Sequence, residues 1–276
     1  MTLTLRRDRL RQALSEYGSL VVAYSGGVDS SYLLAEAVDV LGEDVLAATA
    51  VSPSLPESER LAAAQLARTL GARQIEVPTD EMERAAYRRN DGDRCFHCKS
   101  ALFDVVEPLA RALGIATIAV GTLVDDLDDH RPGQRAARER GVVTPLSDAG
   151  LAKDDVRALA RARDLPTWDK PAAACLASRV VYGLQVTPLR LNRIEEAEEW
   201  LRQRLPTGRN LRVRDHGALA RVEVDPAELP AVIAMAEEVG THLRGLGWTY
   251  VTLDLAGFRS GSMNALLSVN PGSDPG

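Results

Sequence analysis

The residues Tyr24-Ser25-Gly26-Gly27-Val28-Asp29-Ser30 constrain this chain most, because they join an apolar run to a helical one through a glycine pair. The preceding Ser19-Leu20-Val21-Val22-Ala23 is short, apolar and β-rich, the pattern of a central parallel strand. The following Ser31-Tyr32-Leu33-Leu34-Ala35-Glu36-Ala37-Val38 has helical spacing and good helix formers. Glycine lets the backbone approach a ligand closely and adopt dihedrals closed to other residues. Ser25 and Ser30 add hydroxyl donors, and the unpaired N–H groups of the helix start point at whatever anion sits there. Asp29 suits such a place when it meets a metal ion or orders the loop. The segment reads as a pyrophosphate cradle. An ordinary strand-to-helix turn capped by Ser and Asp is the bland alternative, and serines on both flanks argue against it. The Lys-Ser/Thr that ends an ATPase P-loop is absent.

A length of 276 residues allows one large domain or two modest ones, and 45% hydrophobic with 26% charged residues is ordinary for a soluble globular protein. A net charge of −6 and 4% aromatic residues argue against a surface that grips nucleic acid or stacks single-stranded bases. The first residues carry no apolar signal core, and no run of about 18 apolar residues exists to span a bilayer. A cytoplasmic protein with no membrane partner is expected. The three cysteines, an odd number in a reduced compartment, are therefore not expected to form structural disulfides.

Up to about residue 165, short apolar runs alternate with helical stretches, the mark of an α/β domain with an open parallel sheet. Strands are expected at 19–24, 45–51, 73–77, 116–120 and 142–145, and helices at 4–17, 30–41, 57–71, 98–113 and 153–164. Lys153 opens the last helix against the helix dipole, although Asp154 and Asp155 suit it. Ligands of such sheets bind beyond the carboxyl ends of the strands, so Gly121 to Asp126 should meet the cradle there. Beyond an irregular stretch at 165–188 the pattern becomes that of a smaller α+β unit. A helix at 189–204, a hairpin at 211–217 and 219–224, a helix at 226–239 and a strand at 248–255 are expected. The boundary falls near 185, giving a nucleotide domain at 1–185, a second domain at 186–270 and a tail at 271–276.

Cys95-Phe96-His97-Cys98 is a close thiol pair of the kind found in redox dithiols, zinc half-sites and iron–sulfur half-sites. The third cysteine is distant, in Ala174-Cys175-Leu176-Ala177-Ser178-Arg179. Zinc would need a fourth ligand, His97 or His130, and the spacing selects neither. Three thiolates without a fourth suit a 4Fe–4S cluster with one iron open; three unligated thiols, with Cys175 packed in a core, are the alternative.

The loop from Gly121 to Gly133 holds Asp125, Asp126, Asp128 and Asp129, which fit either a solvated loop or the neighbourhood of a cation such as magnesium. Arg212 and Arg214 alternate on one strand and so share a face, suiting carboxylate or phosphate recognition; exposed strand arginines are the alternative. Gly257 to Asn264 is a loop of small residues with one arginine, Arg259, again compatible with an anion. Asp225, Lys99 and Lys170 are single charges that read as solvated.

Residues 25–30 resemble the Ser-Gly-Gly-x-Asp-Ser signature of PP-loop enzymes, which cleave ATP to AMP and pyrophosphate. Together with Gly121 to Gly133, Ala174 to Arg179, Arg212-Val213-Arg214, and Tyr250 to Leu255 leading into the 257–264 loop, they resemble the LarE family over nearly the whole chain. The resemblance implies an ATP-dependent sulfur transferase that adenylylates a pyridinium biscarboxylic acid mononucleotide and lets sulfur displace AMP, giving the pincer ligand of a nickel cofactor. It implies that Ser25, Gly26, Gly27, Asp29, Ser30, Gly121, Asp126, Arg131 and Arg179 serve ATP and Mg2+. It assigns Arg212, Arg214, Asp225 and Arg259 to the mononucleotide, and sulfur handling to Cys175. Single-cysteine members of the family sacrifice that sulfur; three-cysteine members hold a 4Fe–4S cluster, here on Cys95, Cys98 and Cys175. A homo-oligomer, a hexamer of trimers' parentage, is also implied. A PP-loop tRNA thiolase would need a broad basic face, an amide-forming PP-loop ligase would leave the cysteines unexplained, and a nucleotide sensor would not need an intact cradle.

Overall fold

This computed structural model describes residues 1–126, 132–171, 174–259 and 261–263. The first elements in chain order are α1 (Leu3–Tyr17), β1 (Leu20–Ala23), α2 (Val28–Leu41), β2 (Val45–Val51), α3 (Glu57–Thr69) and β3 (Arg73–Pro78). Next come α4 (Ala85–Arg89), α5 (Arg94–Ala112), β4 (Thr117–Ala119), α6 (Pro132–Glu139), α7 (Pro145–Asp148) and α8 (Lys153–Ala162). They are followed by α9 (Pro188–Arg202), β5 (Arg212–Asp215), β6 (Leu219–Glu223), α10 (Leu229–Ala234), α11 (Ala236–Gly245) and β7 (Tyr250–Leu253). The chain divides into two units, one of Met1–Glu81 with Cys95–Ala173, the other of Met82–Arg94 with the residues from Ala174 onward.

The first unit is built on a parallel sheet of order β3-β2-β1-β4. All four side chains of β1 are buried, because helices cover both faces. Side chains alternate along the strands. Leu20 and Val22, with Val45 and Ala47, join the core made with Leu10 and Leu14 of α1, Tyr32 to Leu34 of α2 and Val156 of α8. Val21 and Ala23, with Leu46 and Ala48, join the core made with Leu102, Phe103 and Val106 of α5. The order reverses at β1, whose neighbours are β2 and β4. That reversal is where an α/β sheet opens a crevice at its carboxyl edge. The expected fifth strand at 142–145 shrinks to one parallel bridge, Ala119 to Val143. Pro145 has no N–H for a ladder, and it opens α7 instead.

In the second unit β5 and β6 form the expected antiparallel hairpin, and β7 pairs parallel with β6. α9 packs on β5, and α11 on β7 and α9. The helix expected at 226–239 is two, since the chain leaves helical dihedrals at Met235, and the second runs on to Gly245. The polar stretch 89–94 acts as a clamp. Asn90 takes a left-handed conformation, φ 61°, and its side-chain amide donates to the carbonyls of Val180, Val181 and Leu184 at 3.2, 2.8 and 3.0 Å. Arg94 donates to the Asn90 side chain and to the Ala177 carbonyl. Among the described residues no helix is long and apolar enough to cross a membrane.

Candidate active site

The loop between β1 and α2 is closed by its own serines. Ser25 Oγ and Ser30 Oγ are 3.2 Å apart, the Ser25 N–H donates to Ser30 Oγ at 3.3 Å, and Ser30 Oγ donates to the Gly27 carbonyl at 3.3 Å. Gly27 caps α2 without a side chain of its own, so the first N–H groups of that helix remain turned to the loop. Gly26 lies at φ +68°, and a Cβ there would stand 2.7 Å from Ala63 Cβ on α3. Glycine is required at Gly26 on both counts. Gly121, just beyond β4, is equally constrained: a Cβ there would stand 2.9 Å from the Ser30 nitrogen. The two loops expected to meet at the sheet edge thus do so in backbone contact.

Asp29 is half-buried, and both its oxygens receive the Lys153 ammonium, at 2.9 and 2.8 Å. Burial raises the Asp29 pKa, Lys153 opposes the rise, and the charge of Asp126 adds to it. Asp126 also accepts from the Leu123 N–H at 3.0 Å. Asp125 accepts the Lys153 backbone N–H at 2.6 Å and so caps α8. These carboxylates are the oxygen donors that a hard divalent cation takes. Lys153 was missed as a site residue, although a lysine in the first turn of a helix, against the dipole, is itself a sign of other use. Lys170, expected to be a solvated single charge, is paired instead, with Glu59, which the sequence did not single out. Lys170 Nζ donates to the Gly26 carbonyl at 3.2 Å and to Glu59 Oε2 at 2.6 Å. Arg131, assigned to the nucleotide by resemblance, lies outside the described residues, as do Asp128, Asp129 and His130.

Cys95 and Cys98 occupy the first turn of α5, three residues apart and so on one helix face, with Cys95 exposed and Cys98 half-buried. The second unit holds Cys175, half-buried, at the start of a short 3-10 turn, Leu176–Arg179. Arg179 fixes that turn from within. Its guanidinium donates to the carbonyls of Ala174 and Cys175 and to Ser178 Oγ, and its other edge pairs with Glu198 at 3.0 and 3.2 Å. Among the described residues neither unit by itself gathers three His, Cys, Asp or Glu side chains that could hold a metal ion. The three-thiol set draws two members from the first unit and one from the second.

Arg212 and Arg214 are not exposed strand arginines; their exposures are 7% and 6%. Arg214 pairs with Glu223 Oε2 at 2.9 and 2.8 Å and donates to the Ser178 carbonyl at 3.2 Å, which joins the arginine strand to the turn bearing Cys175. Arg212 lies under Phe258, 5.2 Å from the ring centroid. Burial first, then the charges of Arg179, Arg214 and Arg202, lower the Arg212 pKa to about 10 against the pull of Glu198. Buried Glu198 behaves oppositely: burial alone would raise its pKa, but Arg179, Arg202 and Arg212 together hold it below the ordinary value. The result is a cluster of arginines beside the cysteine turn, only partly neutralised by buried Glu198 and Glu223, a setting that favours an anion. The 257–263 loop reaches the same cluster through Ser262 Oγ, which accepts from Arg214 at 3.3 Å. Arg259 on that loop is exposed, and Asp225 accepts from Asn210 at 2.9 Å and caps the turn at 226–228.

No family model matches the sequence. Individual proteins do. An uncharacterised protein of Synechocystis sp. is 42% identical over 265 residues, covering 95% of this chain and 97% of its own. Pyridinium-3,5-bisthiocarboxylic acid mononucleotide synthase of Lactiplantibacillus plantarum is 36% identical over 269 residues, covering 97% and 96%. An uncharacterised protein of Methanocaldococcus jannaschii is 28% identical over 244 residues, covering 87% and 91%. With likeness to the synthase extending over nearly the full length of both chains, the chain belongs to the LarE family.

Proposed function

We propose that this protein is an ATP-dependent sulfur transferase that turns carboxylates of pyridinium-3,5-biscarboxylic acid mononucleotide into thiocarboxylates for a nickel-pincer cofactor. The observation that carries the proposal is the close approach of Gly121 to Ser30, which in a chain of this family supports reading the 25–30 loop as a phosphate cradle. A carboxylate resists nucleophilic attack and must first be esterified to a good leaving group. Its oxygen attacks the α-phosphorus of ATP, pyrophosphate leaves, and an acyl adenylate forms. A sulfur nucleophile then adds to the carbonyl carbon, AMP departs, and the thiocarboxylate remains.

Each part of this chain has a role in that sequence. The N–H groups at the start of α2 and the hydroxyls of Ser25 and Ser30 receive charge as it builds on the departing pyrophosphate. Asp29 and Asp126 offer oxygens to the magnesium of Mg-ATP. Arg212 and Arg214, with Asp225 and Arg259 at the margin of the same unit, receive the mononucleotide's phosphate and second carboxylate. Arg179 holds the backbone of the Cys175 turn, so that the thiol is presented from a fixed main chain. By the family resemblance Cys95, Cys98 and Cys175 would hold a 4Fe–4S cluster, which would supply an iron open to an exogenous sulfur ligand. A homo-oligomer follows from the family resemblance.

The test is acceptor-dependent pyrophosphate release from ATP, with iron and acid-labile sulfide measured on anaerobically purified protein. The reading expects release that Asp29→Asn and Ser30→Ala each reduce sharply with the circular dichroism unchanged. Undiminished turnover in both variants removes the cradle from the mechanism. An active enzyme free of iron, with dehydroalanine at Cys175, replaces the cluster by sacrifice of the cysteine.

A further inference from the structure

We infer that Lys170 supplies the phosphate cradle with the cation that residues 25–30 lack, keeping one ammonium N–H for an oxygen of the bound polyphosphate. The inference rests on the reading of 25–30 as the pyrophosphate site. Ser25-Gly26-Gly27-Val28-Asp29-Ser30 contains one charged residue, and it is negative. The Lys153 ammonium is committed to both oxygens of Asp29, so that pair brings no net positive charge to an incoming anion. Pyrophosphate is strongly anionic, and hydroxyls, backbone N–H groups and one magnesium ion still leave it a net negative charge.

Lys170 stands at the other end of the same turn. Its Nζ is 3.2 Å from the Gly26 carbonyl oxygen and 2.6 Å from Glu59 Oε2. An ammonium carries three N–H donors. Two have these acceptors, and the described residues present none for the third. The side chain is neither buried nor loose, with 21% of its surface exposed and 25% of that of Glu59. Its backbone is held as well: the Lys170 N–H donates to the Thr167 carbonyl at 3.0 Å, and Arg157 of α8 donates to the Lys170 carbonyl at 3.3 Å. On the far side, Ala63 packs against Gly26, and Glu59 lies four residues earlier on that face of α3. The cation is thus parked against the cradle by a carboxylate that itself competes with phosphate for it.

The rival is a purely mechanical tie, in which Lys170 only fastens the loop to α3. The two differ in which ligands they affect, since AMP lacks the phosphates that leave. Isothermal titration of the full-length protein with magnesium pyrophosphate, and separately with AMP, is done for wild type, Lys170→Met, Lys170→Arg and Glu59→Gln. Lys170→Met is expected to weaken pyrophosphate binding by about tenfold or more while AMP stays within about twofold of wild type, as loss of a charge-assisted hydrogen bond requires. Lys170→Arg keeps most of the affinity, and Glu59→Gln binds pyrophosphate at least as well as wild type because the competing carboxylate is gone. Equal weakening of AMP and pyrophosphate in Lys170→Met, or a Glu59→Gln variant that mimics it, establishes the mechanical tie and overturns the inference. Unchanged pyrophosphate binding in Lys170→Met overturns it too. A wild-type protein that binds AMP but no pyrophosphate removes the cradle reading, and the inference falls with it.

Discussion

The Lys153 ammonium straddles both carboxylate oxygens of Asp29, joining the first residue of α8 to the first turn of α2 across 124 positions of sequence. Burial raises the Asp29 pKa and Lys153 pulls it back. Asp29 must be ionised to face a metal cation, so activity is lost as pH falls through its pKa. Removing the ammonium in Lys153→Met lets that pKa rise further, and the acid limb of the pH–rate profile for pyrophosphate release moves to higher pH. A limb that stays in place, or moves to lower pH, contradicts the assignment.

Gly121→Ala puts a methyl group 2.9 Å from the Ser30 nitrogen. Both partners are backbone, so relief requires one loop to move, at a cost of about 1–3 kcal/mol. We expect a lower melting temperature without nucleotide and a further loss in the stabilisation that ATP provides. Thermal melts with and without Mg-ATP measure both; an ATP-induced shift equal to that of wild type counts against contact between the two loops.

Glu198 is fully buried and accepts from Arg179, Arg202 and the Val213 N–H. Its lowered pKa means that its contribution is present above the ordinary carboxylate value and is lost as pH falls through the folded one. Glu198→Gln leaves the guanidinia without their counter-charge and should cost about 3 kcal/mol at neutral pH. The difference from wild type should narrow in acid. Denaturant unfolding at a series of pH values provides the check, and a constant difference speaks against the charge being responsible.

Burial first, and then crowding by Arg179, Arg214 and Arg202, lower the Arg212 pKa to about 10. An anionic acceptor relieves that crowding. Replacing Arg212 and Arg214 together by Ala should therefore weaken binding of the mononucleotide by about 100-fold, the loss of two hydrogen bonds to charge, while ATP affinity is spared. Titration of each ligand decides it. A collapse of ATP affinity would mean that the arginines serve the nucleotide.

Much of this arrangement is legible in the residues themselves. Apolar runs such as Leu20 to Ala23 name the buried strands, and the glycine pair of the Ser-Gly-Gly-Val-Asp-Ser loop marks the turn from β1 into α2. The alternation of Arg212 and Arg214 places them on one strand face, but their burial depends on the 257–263 loop and on Glu198, both distant in sequence. Lys153, Lys170 and Glu59 are silent for the same reason: an ion pair across 111 or 124 residues leaves no local periodicity. Asn90 and Arg94 look like loop residues because their partners, the carbonyls of 177–184, are main-chain atoms without a sequence signature. The failed strand at 142–145 did carry its warning in Pro145, whose missing N–H ends a ladder.

The central claim is that sulfur reaches the adenylylated mononucleotide through Cys175. Anaerobically purified wild type and Cys175→Ala are each incubated with Mg-ATP, sulfide and pyridinium-3,5-biscarboxylic acid mononucleotide, and the products are weighed by mass spectrometry. The account predicts thiocarboxylate and AMP from wild type and, from Cys175→Ala, the adenylylated mononucleotide and pyrophosphate without thiocarboxylate. Thiocarboxylate formed by Cys175→Ala at the wild-type rate would contradict it.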